Sequence, residues 1–225
     1  MLRVAAAALV IALLIPTATA SYIPLTIAEL AGGADLIVVA TITKVEDDTF
    51  EASVSDTLFG EPGGETIRVH KFSNWQCASR WVPYAIEQQL LLFLEKGDGK
   101  RVPAGTWQIM GAGDDGEMPV AEGFIYPQFF PSVQASTRTE HEEHEVYGGT
   151  RDQRVPRDQL LAAGRDIRKC YRFSCLPNRR PNGIRQICDE AELATFIKQS
   201  KCHEVVAKDV KRLAAELESN WESYM

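Results

Sequence analysis

Ala34-Asp35-Leu36-Ile37-Val38-Val39-Ala40-Thr41-Ile42-Thr43-Lys44-Val45 decides the fold class of this chain. The stretch is rich in β-branched residues, and over 39–45 apolar and polar residues alternate, as in a strand with one buried face. Further strands are predicted over 49–58, 66–72 and 89–94, with shorter ones over 106–110 and 117–120. The punctuation between them agrees. Asp47-Asp48 reads as a hairpin turn, Gly60-Glu61-Pro62-Gly63-Gly64 as a loop, and Gly97-Asp98-Gly99-Lys100 as a turn. The expected class is α+β, a small antiparallel barrel over 21–133 followed by a helical region.

Upstream, residues 1–20 read as an export signal: Arg3, an apolar run over 5–15, and Ala18-Thr19-Ala20 as a cleavage box. The run is too short to anchor the chain in a bilayer. No cysteine follows the box, which disfavours a lipoprotein. The mature chain is expected to start at Ser21, secreted, or periplasmic in a Gram-negative cell. Residues 22–30 form a lead-in, with Thr26 as a helix cap and Glu29 three residues on. Gly32-Gly33 is expected to break it before the first strand.

The formal charge of the whole chain is −7, so nucleic acid is not an expected partner. The charge is unevenly placed. Residues 21–150 carry 8 Lys/Arg against 20 Asp/Glu, whereas 151–225 carry 15 against 11. Such asymmetry steers partners without naming one.

The lead-in, the strand quoted above and the following strand, which ends Asp56-Thr57-Leu58-Phe59-Gly60, resemble the start of netrin-like modules. These are OB-fold barrels that include the tissue inhibitors of metalloproteinases. Cys77 among Trp75, Trp81 and Tyr84, the Leu90-Leu91-Leu92-Phe93-Leu94 strand and the later Gly-x-Gly turn follow the same order, so the resemblance covers about residues 30–120. It implies a barrel fold and a binding role. In the inhibitory members an N-terminal cysteine binds the target's zinc. Here Ser21-Tyr22 stands at the expected N-terminus, so that chemistry is not implied.

Beyond the barrel, 134–155 reads as an exposed acidic linker, and 156–225 as a helical region. The first helix is predicted from Pro156, with Leu160, Gly164, Ile167 and Tyr171 at helical spacing, and the stretch 176–183 as a loop. A second helix starts at Asp189, with Glu192 three on. A third, capped by Ser200, carries the stripe Val206, Val210, Leu213, Leu217 and Trp221.

Five cysteines are present, Cys77, Cys170, Cys175, Cys188 and Cys202. An exported chain favours two disulfides in the last third over a zinc site. Three connectivities are open for the last four cysteines. The expected one joins Cys175 to Cys188 across the loop and Cys170 to Cys202 between helices. The region between Arg165 and Arg185 is basic, and Arg172, Arg179, Arg180 and Arg185 are candidate contacts for a carboxylate, sulfate or phosphate. The alternative is that this face docks on the acidic barrel of the same chain. Trp75 and Trp81 are candidates for an aromatic binding patch, against the alternative of core packing.

His141 and His144 are the candidate metal ligands by composition, in Glu-His-Glu-Glu-His-Glu. Their order matches neither zincin arrangement, and a solvated linker is the expected reading. Gly111-Ala112-Gly113-Asp114-Asp115-Gly116 spells a dinucleotide fingerprint, yet Glu-Met-Pro follows where a helix must begin, so it reads as a turn. Cys202 and His203 are neighbours and cannot form a dyad on a helix. No cofactor and no membrane anchor are expected. The sequence thus predicts an exported, non-catalytic binding module for another extracellular protein or an anionic polymer. The alternative is a metal-dependent hydrolase using His141 and His144.

Overall fold

A computed structural model describes residues 24–75, 78–100, 102–111, 115–127, 145–146, 149–150, 154–175 and 181–222. The expected signal over 1–20, Ser21, Cys77, His141, His144, Arg179 and Arg180 lie outside the described residues.

Helix α1 (Ile27–Gly33) opens on Thr26, whose side chain accepts from the Glu29 amide while the Glu29 carboxylate accepts from the Thr26 amide. This is the reciprocal cap the sequence predicted. The helix ends at Gly33, before the first strand, as the Gly32-Gly33 pair predicted. At Gly32 the missing side chain serves close approach, because a Cβ would come 2.5 Å from the Phe173 ring.

Strand β1 (Leu36–Val45) pairs antiparallel with β2 (Thr49–Phe59) on one edge and with β4 (Gln89–Lys96) on the other. Strand β2 pairs antiparallel with β3 (Thr66–His70). Strand β5 (Trp107–Ile109) joins β3 to β4 and closes a five-stranded barrel, in the order β1-β2-β3-β5-β4 and back to β1. The barrel is not wholly antiparallel, because β3 and β5 run parallel. The long irregular connection from β3 to β4 is what permits that crossover.

Strand β1 explains the rest of the packing. Over 36–40 it is a continuous apolar run, and both of its faces are buried. Leu36, Val38 and Ala40 point into the barrel with Phe50, Ile67 and Leu92. Ile37 and Val39 point out, and with Leu91 and Phe93 they form a platform for a second core.

Strand β6 (Glu117–Ala121) extends the sheet from β4, followed by β7 (Phe124–Ile125). A short hairpin of β8 (Glu145–Val146) and β9 (Gly149–Thr150) falls inside the stretch expected to be a linker. Strand β10 (Val155–Pro156) then pairs with β7, and Val155 is buried, so the end of that stretch belongs to the sheet.

Helices α2 (Arg157–Cys170), α3 (Glu190–Lys198) and α4 (Lys201–Glu222) cover the platform through Leu160, Ile167, Phe196, Val206 and Val210. Asp189 and Glu192 cap α3 reciprocally, as predicted. Where a helix running through Tyr171 and then a loop were expected, the chain turns at Cys170 into a two-stranded hairpin, β11 (Tyr171–Cys175) and β12 (Pro181–Gln186). Phe, Ser and Cys are only middling helix formers, and Phe173 finds its burial on the bare face of α1.

Both ends of α1 are held by this helical layer. Asp209 of α4 accepts from the Ala28 amide at 3.0 Å. Arg168 of α2 donates to the Ala31 carbonyl at 2.6 Å and to those of Gly32 and Ala34 at 3.2 Å. An acid at the amino end and a base at the carboxyl end both oppose the helix dipole.

Candidate functional site

The single disulfide among the described residues joins Cys170 to Cys188, with Cα atoms 4.5 Å apart. This corrects both expected pairings. Cys170 closes α2 and Cys188 follows β12, and the register Tyr171↔Gln186 brings the two together at the open end of the hairpin. Cys175 lies four residues along β11, exposed, with its thiol donating to the Gly32 carbonyl at 3.3 Å. Cys202 is buried in α4, and burial pushes its thiol up to about 11.

The basic stretch divides residue by residue. Arg165 pairs with Asp56 on β2. Arg168 stacks 3.5 Å from the Phe59 ring, and its guanidinium is held below its ordinary range by burial. These two dock on the chain itself, as the alternative reading expected. Arg172 and Arg185 do not. They are directly opposite each other across β11 and β12, both exposed, with no ion pair among the described residues. Sequence spacing alone could not show that residues thirteen apart are cross-strand neighbours; only the hairpin register does.

The aromatic candidates also divide. Arg80 lies between the rings of Trp81 and Tyr84, 4.1 and 3.8 Å from their centroids. Its Nε donates to Glu117 at 2.8 Å, and an Nη donates to Gln88 at 2.9 Å. The Tyr84 hydroxyl donates to the same Glu117 oxygen at 3.0 Å, and burial, followed by that carboxylate, raises its pKa. Arg80 and Glu117 side chains are 3% and 0% exposed. Trp81 is therefore part of an internal ionic cluster that fixes the β3–β4 connection. Trp75 remains at the surface, 47% exposed.

Of the turn over 111–116, residues 112–114 lie outside the described residues. Asp115 accepts from the Leu25 amide at 3.0 Å, and Glu117 holds Arg80. Among the described residues no cluster of three or more His, Cys, Asp or Glu side chains is placed to hold a metal.

One arrangement had no precursor in the sequence reading. The Ser200 hydroxyl lies 2.7 Å from His203 Nδ1, and His203 Nε2 lies 3.3 Å from Asp166. The order is that of a hydrolytic relay. Ser200 also accepts from the His203 amide, which makes it the cap of α4, and His203 is only 2% exposed behind Phe196. Asp166 is bound to Lys169 as well, at 2.5 Å. The relay fastens α2 to α4. A cavity of about 390 Å³ lies beside it, lined by the disulfide, Asp166, Lys169 and Phe196.

No protein-family model matches this chain, and neither does any curated protein. No helix among the described residues is long and apolar enough to cross a membrane.

Proposed function

We propose that this chain is an exported binding module, built on an OB-like barrel, that presents its disulfide-closed hairpin to an anionic partner. The observation that carries the reading is the exposed pairing of Arg172 with Arg185, neither of which forms an ion pair with a described residue. A cross-strand pair of like charges lowers stability unless something neutralises it. Arg165, Arg168 and Arg80 each have a partner in the chain, so the two hairpin arginines are set apart by their surroundings and not by composition.

The likeness to OB barrels is supported by the strand order β1-β2-β3-β5-β4 and by closure of β1 on β4. The likeness to netrin-like modules rests on the order of strands over about residues 30–120. Export is supported by the sequence of residues 1–20 and by a disulfide, which persists in oxidising compartments. Loops and one sheet face are where OB-type barrels take ligands. This chain adds a braced hairpin to that frame.

Retention on phosphocellulose at neutral pH tests the reading. A chain of net charge −7 should flow through unless a local basic face binds. The wild type is expected to be retained and to elute with salt, and an Arg172→Glu/Arg185→Glu variant to flow through. Equal elution of the two proteins would overturn the assignment of the hairpin as the contact element.

A further inference from the structure

The outward face of the hairpin is ordered in two rows. Arg172 stands opposite Arg185, and two residues along, Ser174 stands opposite Gly183. The inward face is occupied, by Tyr171 and by Phe173 against α1. Gly183 is not required by the backbone, since its φ lies outside the left-handed region. A Cβ built there would come 3.7 Å from the Ser174 Cβ, so a larger side chain fits the fold while covering the space beside the hydroxyl. The bare glycine leaves the space beside the Ser174 hydroxyl uncovered, two residues along from the Arg172–Arg185 pair.

The geometry points to a site for a phosphate or sulfate ester, held by Arg172 and Arg185 with the Ser174 hydroxyl, over Gly183. The inference rests on the hairpin being the contact element and adds the chemistry of its ligand. A guanidinium is a planar fork of donors that fits one edge of an oxyanion. A carboxylate has two oxygens and is filled by one fork. A tetrahedral ester has three free oxygens, so it takes two forks from adjacent residues and a hydroxyl as well. In a phosphate monoester the second negative charge also matches the pair of cations.

Arg172, Ser174 and Arg185 are exposed among the described residues, which suits an ester carried on a polymer. Isolated surface charges bind weakly. Repeated esters on one chain raise the effective concentration at the site and supply the remaining affinity. The disulfide fixes the foot of the hairpin and so keeps the two arginines in register before the ligand arrives.

Two soluble probes, dextran sulfate and polyglutamate of equal charge density, are titrated by fluorescence anisotropy at fixed ionic strength. The wild type is expected to bind dextran sulfate at least about tenfold more tightly than polyglutamate, a difference of about 1.4 kcal/mol. That preference should disappear in Arg172→Gln/Arg185→Gln and in Gly183→Val. Lys198→Gln, an exposed lysine on α3, should keep it. Circular dichroism and the unfolding midpoint establish that each variant is folded, and Ser174→Ala, with a smaller loss, serves if Gly183→Val is not. Equal binding of both probes, both lost with the arginines, overturns the ester site while leaving the hairpin as contact element. Binding unchanged by loss of the arginines overturns both.

Discussion

The β3–β4 connection and the β11–β12 hairpin both carry arginine beside aromatic side chains, and they use it in opposite ways. In the connection, Arg80 is enclosed by Trp81, Tyr84, Glu117 and Gln88. Its charge is neutralised inside the fold, and the segment is held in place by that cluster. In the hairpin, the covalent bond Cys170–Cys188 does the holding, and Arg172 and Arg185 are left facing outward. A buried charge must be matched, because an unmatched one is severely destabilising. An exposed pair can be left unmatched at small cost. The difference separates a charge matched inside the fold from a pair that no ion pair of the described chain matches.

The largest effect is expected at Glu117. Glu117→Ala strands the Arg80 guanidinium and should cost about 3–5 kcal/mol in denaturant unfolding. A loss under about 1 kcal/mol would mean that the cluster behaves as a surface pair. Next is the staple. Reduction, or Cys170→Ser/Cys188→Ser, should lower stability by about 2–4 kcal/mol, and calorimetry with and without reductant reads it directly. In the native protein Cys175 should alkylate while Cys202 does not, since its buried thiol, raised to about 11, stays protonated at neutral pH. Peptide mapping after iodoacetamide treatment distinguishes them.

A smaller effect lies in acid. Burial opposes ionisation of Asp166, but hydrogen bonds from Lys169 and His203 outweigh it and hold its carboxyl below the usual range. A lowered folded pKa gives stability that is complete above the unfolded value, about 3.9, and is lost as pH falls through the folded one. Asp166→Asn should therefore lower the unfolding midpoint near neutrality and flatten its decline below about pH 4. An unchanged acid limb would show that the link between α2 and α4 is not ionic. The smallest effect has the opposite sign. Arg185→Gln removes the cross-strand repulsion and should stabilise the unliganded protein by about 0.2–1 kcal/mol.

Much of this fold was legible because local rules agreed with each other. The strand over 36–45, the caps at Thr26 and Asp189 and the stripe on α4 each rested on neighbours in sequence. What was not legible depended on pairing across the chain. The parallel contact of β3 with β5 follows from ring closure, which no periodicity encodes. Tyr171 fits a helical stripe by spacing, and only the pocket at Gly32 makes Phe173 a strand residue. The cysteine pairing was misread for the same reason, since a hairpin in place of the expected loop moves Cys170 next to Cys188. Of the site candidates, Trp81 could not be told from Trp75 without Arg80 and Glu117, which lie 37 residues apart. The basic run was visible as composition, but which of its arginines were already engaged was not.

Amide NMR spectra of the isotopically labelled protein, titrated with inorganic phosphate at fixed ionic strength, test the central claim most directly. The account predicts that the largest saturable shifts fall at Arg172, Ser174, Gly183 and Arg185, with the barrel and the residues around Arg80 unmoved. Shifts centred on the β3–β4 connection around Trp75, or none that saturate at the hairpin, would contradict it.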